Sequence, residues 1–113
     1  MRESDRERRR KHQIARNEAL FRKVNESVRE VSGGGPTETT EFLCECGDED
    51  CTETIELRNE EYETVRADPL LFVIVRGHEI AEVEDLVARN ERFDVVRKHA
   101  GESVIARQLD PRG

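Results

Sequence analysis

All the cysteines of the chain lie within eight residues, and this clustering constrains the fold more than any other feature. Cys44 and Cys46 are separated by one residue, and Cys46 and Cys51 are separated by four. The segment 52–57 alternates apolar and polar residues, which is typical of a strand with one solvent-exposed face. The segment 41–46 is predicted to be its partner strand. The pattern predicts a β-hairpin whose turn presents three thiolate ligands to one metal ion, for which zinc is the best match.

Structural zinc sites have four tetrahedral sulfur or nitrogen ligands, so a fourth ligand is expected from elsewhere in the chain. His78 is the first candidate because it follows the apolar run 71–75, which is predicted to be the most buried strand. The end of such a strand can lie beside a hairpin turn in a small sheet. His99 is the alternative ligand, and His12 is remote, on a predicted helix.

Three other interpretations of the cysteines stay open: unliganded buried thiols, a thiol redox sensor, and a zinc hydrolase with Glu79 as general base. The acidic residues Glu45 and 48–50 would raise a thiol pKa and attract a dication, which favours metal binding over redox chemistry. Three thiolates and His78 would close the site to water, so hydrolysis requires His78 to stay unbound. The sequence contains no phosphate-binding glycine loop or serine-hydrolase motif, and we expect no enzymatic activity.

The composition predicts a small core that needs a metal to stabilise it. The chain has 113 residues, of which 40% are charged and 35% hydrophobic, with no tryptophan. This is enough for one domain with a small aliphatic core. The longest apolar run, Leu70 to Val75, has six residues, far short of the roughly 20 needed to cross a bilayer. The N-terminus does not resemble a secretory signal, so we expect a cytoplasmic protein that does not bind membranes.

Residues 4–31 contain no proline or glycine and are predicted to form one long amphipathic helix. Its stripe follows helical spacing and consists of Ile14, Asn17, Phe21, Val24, Val28 and Val31. The stripe could pack on the chain's own domain, pair with a second copy as a short coiled coil, or dock on another protein. Asn at such a position is a known determinant of coiled-coil register.

Charge divides the chain into a basic N-terminal part and an acidic remainder. Residues 1–32 carry ten Lys/Arg against six Asp/Glu, whereas residues 33–113 carry nine against twenty. Nucleic-acid contact is therefore possible only through the basic cluster of Arg8, Arg9, Arg10 and Lys11. Acidic residues alternate with the cations just before this cluster, which weakens the case for phosphate binding. A short basic run is also typical of the solvated first turns of a helix.

The glycine-rich segment after the helix predicts a flexible joint. The predicted organisation is a helix over 1–32, a linker over 33–40, a metal-stabilised body over 41–109, and a tail over 110–113. Within the body we predict helices at 59–67 and 80–90 and further strands at 71–75, 93–98 and 103–106. The fold class is α+β, with a small mixed β-sheet, two short helices and a zinc-clipped hairpin.

Several segments together resemble a group of small uncharacterised bacterial proteins. They are 15–22, 42–53, 62–69 and the Gly-His-Glu motif at 77–79. The resemblance implies a recurrent fold and no particular reaction. From the residues themselves we predict a regulatory or protein-interaction module with structural zinc, whose N-terminal helix binds a second copy or another protein.

Overall fold

The computed structural model describes residues 3–33, 35 and 37–112, with side chains for all of these except 3, 4 and 100–103. The chain is α+β, as predicted. Residues 1–2, 34, 36 and 113 of the predicted helix, linker and tail lie outside the described residues. The elements in chain order are α1 (Glu3–Val31), β1 (Thr39–Leu43), β2 (Thr54–Arg58), α2 (Asn59–Arg66), β3 (Leu71–Ile74), β4 (Glu84–Arg89), β5 (Asp94–Lys98) and α3 (Ala100–Gln108).

The predicted hairpin is formed by β1 and β2, which pair antiparallel with Phe42 opposite Ile55. Burial alternates along β2, where Ile55 and Leu57 point inward and Thr54 and Glu56 outward. The strand β1 begins at Thr39 and so includes the end of the predicted linker. The cysteine segment connects the two strands, as its position in the sequence indicated.

The other three strands form a second antiparallel sheet in the order β3-β5-β4. The prediction of one mixed sheet is therefore wrong, because the described strands form two small antiparallel sheets. The sheets meet where the backbone N–H of Glu45 donates to the carbonyl of Val73 on β3, at 2.8 Å. This bond places the cysteine segment at the junction between the sheets.

The predicted helix over 80–90 is wrong, since this segment forms a turn followed by β4. Its apolar residues have helical spacing, but only Val83 is buried, while Leu86 and Val87 are 39% and 49% exposed. Pairing with β5, through a register shift between Leu86 and Ala88, determines the structure instead.

The last predicted strand, 103–106, is also wrong, because it lies within α3. A short apolar run fits either element by pattern alone. As a helix, α3 packs against α1 and buries Ala106 in the core beside Phe72 and Val96.

The core has two clusters, one of which contains part of the cysteine segment. The first contains the stacked rings of Phe42 and Tyr62, whose centroids are 4.4 Å apart. The second includes two of the cysteines and is composed of Cys44, Cys46, Leu70, Phe72, Ile74, Val96 and Ala106. The thiol-bearing segment is therefore part of the interior.

The helix α1 packs on the chain's own domain, which is the first of the three predicted arrangements. Arg22 donates to the carbonyl of Pro69 at 2.6 Å and also to that of Leu71. Asn25 exchanges two hydrogen bonds with the backbone of Leu43, at 2.7 and 2.9 Å. These contacts attach the helix to both sheets.

The buried face of α1 is rotated relative to the predicted stripe. Ile14 of the stripe is buried, and Phe21 and Val28 are half-buried, but Val24 and Val31 are 42% and 85% exposed. The buried residues of α1 include three polar ones and are Ile14, Ala15, Glu18, Ala19, Arg22 and Asn25. The face of α1 that packs on the body is therefore offset from the predicted stripe, and its centre carries polar side chains with partners in the body.

Candidate metal centre

The cysteine loop is fixed by backbone hydrogen bonds at both ends. Cys44 N–H donates to the Glu53 carbonyl at 3.0 Å and so extends the hairpin ladder by one step. Within the loop, Cys51 N–H donates to the Asp48 carbonyl at 3.0 Å. Asp50 N–H donates to the Asp48 carboxylate at 2.9 Å, which closes a local turn. The loop is ordered by these bonds and brings its thiols to one side.

Three cysteines and one histidine converge on a single point. The ligand atoms of Cys44, Cys46, Cys51 and His78 all lie within 4.8 Å of one another. His78 Nδ1 is 3.6 Å from Cys44 Sγ and 3.8 Å from Cys51 Sγ. Four tetrahedral ligands at ordinary zinc bond lengths would place each sulfur about 3.6 Å from the imidazole nitrogen. The four side chains therefore have the spacing of a tetrahedral metal site.

A tight turn after β3 positions His78. The N–H of His78 donates to the Val75 carbonyl at 3.0 Å, and Gly77 between them has φ of +85°. Only glycine adopts this conformation without strain, so the turn requires the glycine that precedes His78. The N–H of Gly77 donates to Asp94 at 3.0 Å, which anchors the turn to β5.

The second nitrogen of His78 contacts Glu53, with Nε2 3.1 Å from the carboxylate. A carboxylate on the outer nitrogen orients the ring and fixes the tautomer that leaves Nδ1 free to bind a metal. Sequence analysis did not single out Glu53 for this role and considered Glu79 as the functional carboxylate. The sequence places Glu53 on the hairpin, two residues after Cys51. Only the folded chain shows that its carboxylate lies beside His78.

Backbone N–H groups donate to all three sulfur atoms. Val75 N–H donates to Cys44 Sγ at 3.1 Å, while Asp48 and Glu53 supply the N–H groups for Cys46 and Cys51. Such bonds stabilise sulfur in its anionic, metal-binding form.

The thiols also interact with one another. A hydrogen bond from Cys44 lowers the pKa of Cys46 to about 5. The same bond, together with burial, raises the pKa of Cys44, and burial raises the pKa of Cys51. All three sulfurs bind a metal as thiolates, so metal binding would release the protons that the thiols still carry.

The acidic residues of the loop do not cause these pKa shifts in the way predicted. Asp48, Glu49 and Asp50 are exposed, and the main causes are burial and hydrogen bonds among the thiols. Glu45 is fully buried, where it accepts hydrogen bonds from Val73 N–H at 3.1 Å and from Asn25 at 2.9 Å. Glu45 therefore fastens the loop to β3 and α1.

Gly47 lies directly under α1. A Cβ atom built on Gly47 would be 2.2 Å from Ile14 Cγ2 and 2.8 Å from the Ile14 carbonyl oxygen. Asn17 Nδ2 donates to the Gly47 carbonyl at 2.8 Å. The glycine is needed for close approach of the helix, and Asn17 contacts the cysteine loop rather than a coiled-coil seam.

A cleft of about 630 Å³ opens between α1 and this loop. Arg10, Gln13 and Asn17 line it from the helix, and Cys46 and His78 line it from the candidate centre. One side of the four-residue cluster therefore faces solvent, which gives an ion a route to the ligands.

The remaining predicted site residues lie elsewhere. His99 Nε2 is 3.1 Å from a carboxylate oxygen of Asp85, and His12 lies exposed on α1. In the basic cluster, Arg8 pairs with Asp5, and Arg10 pairs with Glu82 at 2.5 Å. Phosphate contacts by these two arginines would have to displace their carboxylates.

Within the described part of the chain, no helix is both long and apolar enough to cross a membrane. Comparisons with protein-family models, with curated proteins and with solved structures gave no match to this chain.

Proposed function

We propose that the chain is a small zinc-binding module in which Cys44, Cys46, Cys51 and His78 hold one structural Zn²⁺. The observation that carries this proposal is the convergence of the four ligand atoms within 4.8 Å. Soft thiolates with one imidazole favour zinc over the hard cations that take oxygen ligands.

The proposed role of the metal is structural because four protein ligands leave no coordination position for a reacting water. The distances from His78 Nδ1 to two sulfurs support its binding alongside the thiolates, which disfavours the hydrolase alternative. The hydrogen bonds donated to the sulfurs and Glu53 on the outer imidazole nitrogen form the second coordination shell such a centre needs.

The ion would connect parts of the chain that the small core holds only weakly. Cys51 on the hairpin and His78 after β3 are 27 residues apart in sequence. Because the ligands are brought together only in the folded state, the free energy of metal binding contributes directly to folding. We expect chelation to destabilise the body, which would show as a lower unfolding free energy in urea.

A ligand-exchange series tests the site. We expect wild-type protein and the His99→Gln control to retain one zinc per chain when challenged with a chelator, as measured by native mass spectrometry. Cys51→Ser and His78→Gln should lose the zinc under the same challenge. Zinc-free wild-type protein with three titratable thiols would contradict the proposal, and so would undiminished zinc retention by His78→Gln.

We also propose self-association through the outer side of α1. Leu20, Val24 and Val31 are 58%, 42% and 85% exposed and follow one another at spacings of four and seven residues. This spacing fits a heptad seam, for which a second copy of α1 is the matching surface. Sedimentation equilibrium should give a dimer for wild type and for Lys23→Gln, but a monomer for Leu20→Gln/Val24→Gln. A wild-type monomer at the highest soluble concentration would contradict this proposal.

A further inference from the structure

The first buried side chain of α1, among those described, is Ile14. The preceding residues from Asp5 to Gln13 are exposed or at most half-buried. Ile14 packs on the cysteine loop, since its Cγ2 and carbonyl oxygen occupy the space that a Cβ of Gly47 would need. One turn later, Asn17 donates to the Gly47 carbonyl at 2.8 Å. The N-terminal half of α1 is therefore anchored at the cysteine loop.

Gly47 has little freedom to move independently of the metal ligands. It directly follows Cys46, and Cys51 lies four residues further on. A metal bound by both cysteines would fix the loop between them, including the carbonyl that Asn17 contacts. Metal ligation and anchoring of the helix therefore depend on the same few backbone atoms.

The C-terminal half of α1 has anchors that do not involve the loop. Arg22 donates to two carbonyls at the start of β3, and the buried carboxylate of Glu18 pairs with Lys98. The N-terminal half also has the Arg10 and Glu82 ion pair, whose side chains are 55% and 46% exposed. An exposed ion pair contributes little, and a helical segment of this length is marginal without tertiary support.

We infer that metal occupancy controls the order of the N-terminal half of α1, residues 3–17. With the metal bound, the loop holds Ile14 and Asn17, and the arm carrying the basic cluster is a rigid helix. When the loop loses the conformation set by the metal, the arm detaches and frays. The centre thereby regulates how the arm is presented to partners, an inference that rests on the proposed function.

The coupling must also act in the opposite direction, because linkage between two binding events is reciprocal. A docked arm favours the loop conformation that binds metal. Weakening the arm contact should therefore lower zinc affinity even though every ligand is intact. We expect a loss of about tenfold, within the usual range of coupling between sites.

Two variants of the full chain test the inference while keeping all ligands. Gly47→Ala places a methyl group against Ile14, and Asn17→Ala removes only one hydrogen bond, so it remains informative if the first variant folds poorly. Arg16→Ala, exposed on the same helix, is the control. The measurements are zinc affinity by chelator competition and amide hydrogen exchange of zinc-loaded protein, with peptides covering 5–17 compared with 22–31.

We expect both test variants to bind one zinc about tenfold more weakly and to exchange amides of 5–17 at least tenfold faster, with 22–31 unchanged. The control should match wild type. If the variants bind zinc as tightly as wild type with unchanged exchange in 5–17, the inference is overturned and the proposed zinc site stands. If wild-type protein binds no zinc, both are overturned.

Discussion

Replacing Arg22 by methionine should destabilise the protein strongly, because this side chain attaches α1 to the body. Arg22 is 1% exposed, and its guanidinium lies 3.6 Å from the centroid of the Phe72 ring. It donates to the carbonyls of Pro69 and Leu71. Burial lowers the pKa of Arg22, while the carboxylate of Glu45 acts in the opposite direction.

The magnitude follows from the groups left without partners. A buried acceptor that loses its donor costs about 1–3 kcal/mol, and here there are two carbonyls. The Glu45 carboxylate also loses its neighbouring positive charge. Methionine refills much of the volume and avoids the desolvation of a cation, which offsets part of the loss. We expect a net decrease in unfolding free energy of about 3 kcal/mol, a large fraction of the roughly 5–15 kcal/mol typical of a domain.

Urea denaturation of the zinc-loaded protein measures this effect, with Arg16→Met as the matched control. Arg16 is exposed on the same helix, so its replacement should change stability by no more than about 0.5 kcal/mol. If Arg22→Met were as stable as the control, the packing of α1 on the body would not contribute to the folded state in solution.

Three further variants test separate parts of the account. Burial raises the pKa of Glu18, so its stabilising contribution is present below the unfolded pKa and is lost as pH rises through the folded pKa. Urea denaturation at a series of pH values gives the unfolding free energy of each protein. Glu18→Gln should lose less of this free energy than wild type as pH rises, and equal losses in the two proteins would contradict this prediction. Glu53→Gln should weaken zinc binding by about tenfold in chelator competition, since second-shell carboxylates have effects of this size. The exposed Glu56→Gln control, three residues further along the hairpin, should bind like wild type, and equal affinities for the two variants would exclude the role of Glu53. Phe42→Ala removes a fully buried ring and should lower the unfolding free energy by about 3–5 kcal/mol in urea; a change under about 1 kcal/mol would contradict the core assignment.

The convergence of the candidate ligands could be predicted because its signals are local. The spacing of Cys44, Cys46 and Cys51 restricts them to one turn, and an apolar strand ending in Gly-His indicates where His78 lies. The contacts of Glu53 and Asn17 could not be predicted in this way. Each depends on how the hairpin or α1 is placed against a segment distant in sequence.

The face of α1 was mispredicted because hydrophobic periodicity treats charged residues as exposed. Glu18, Arg22 and Asn25 are buried because they form hydrogen bonds with backbone carbonyls, Lys98 and Glu45, and all these partners are at least 18 residues away in sequence. The helix predicted over 80–90 failed for a related reason, since pairing with β5 outweighs a local pattern that fits either element.

The most direct test of the account is X-ray absorption at the zinc edge on the purified full chain. A structural Cys₃His centre predicts one zinc per chain, with three sulfur ligands at about 2.3 Å and one nitrogen ligand at about 2.0 Å. A first shell dominated by oxygen, or protein that binds no zinc when it is supplied, would contradict the central claim.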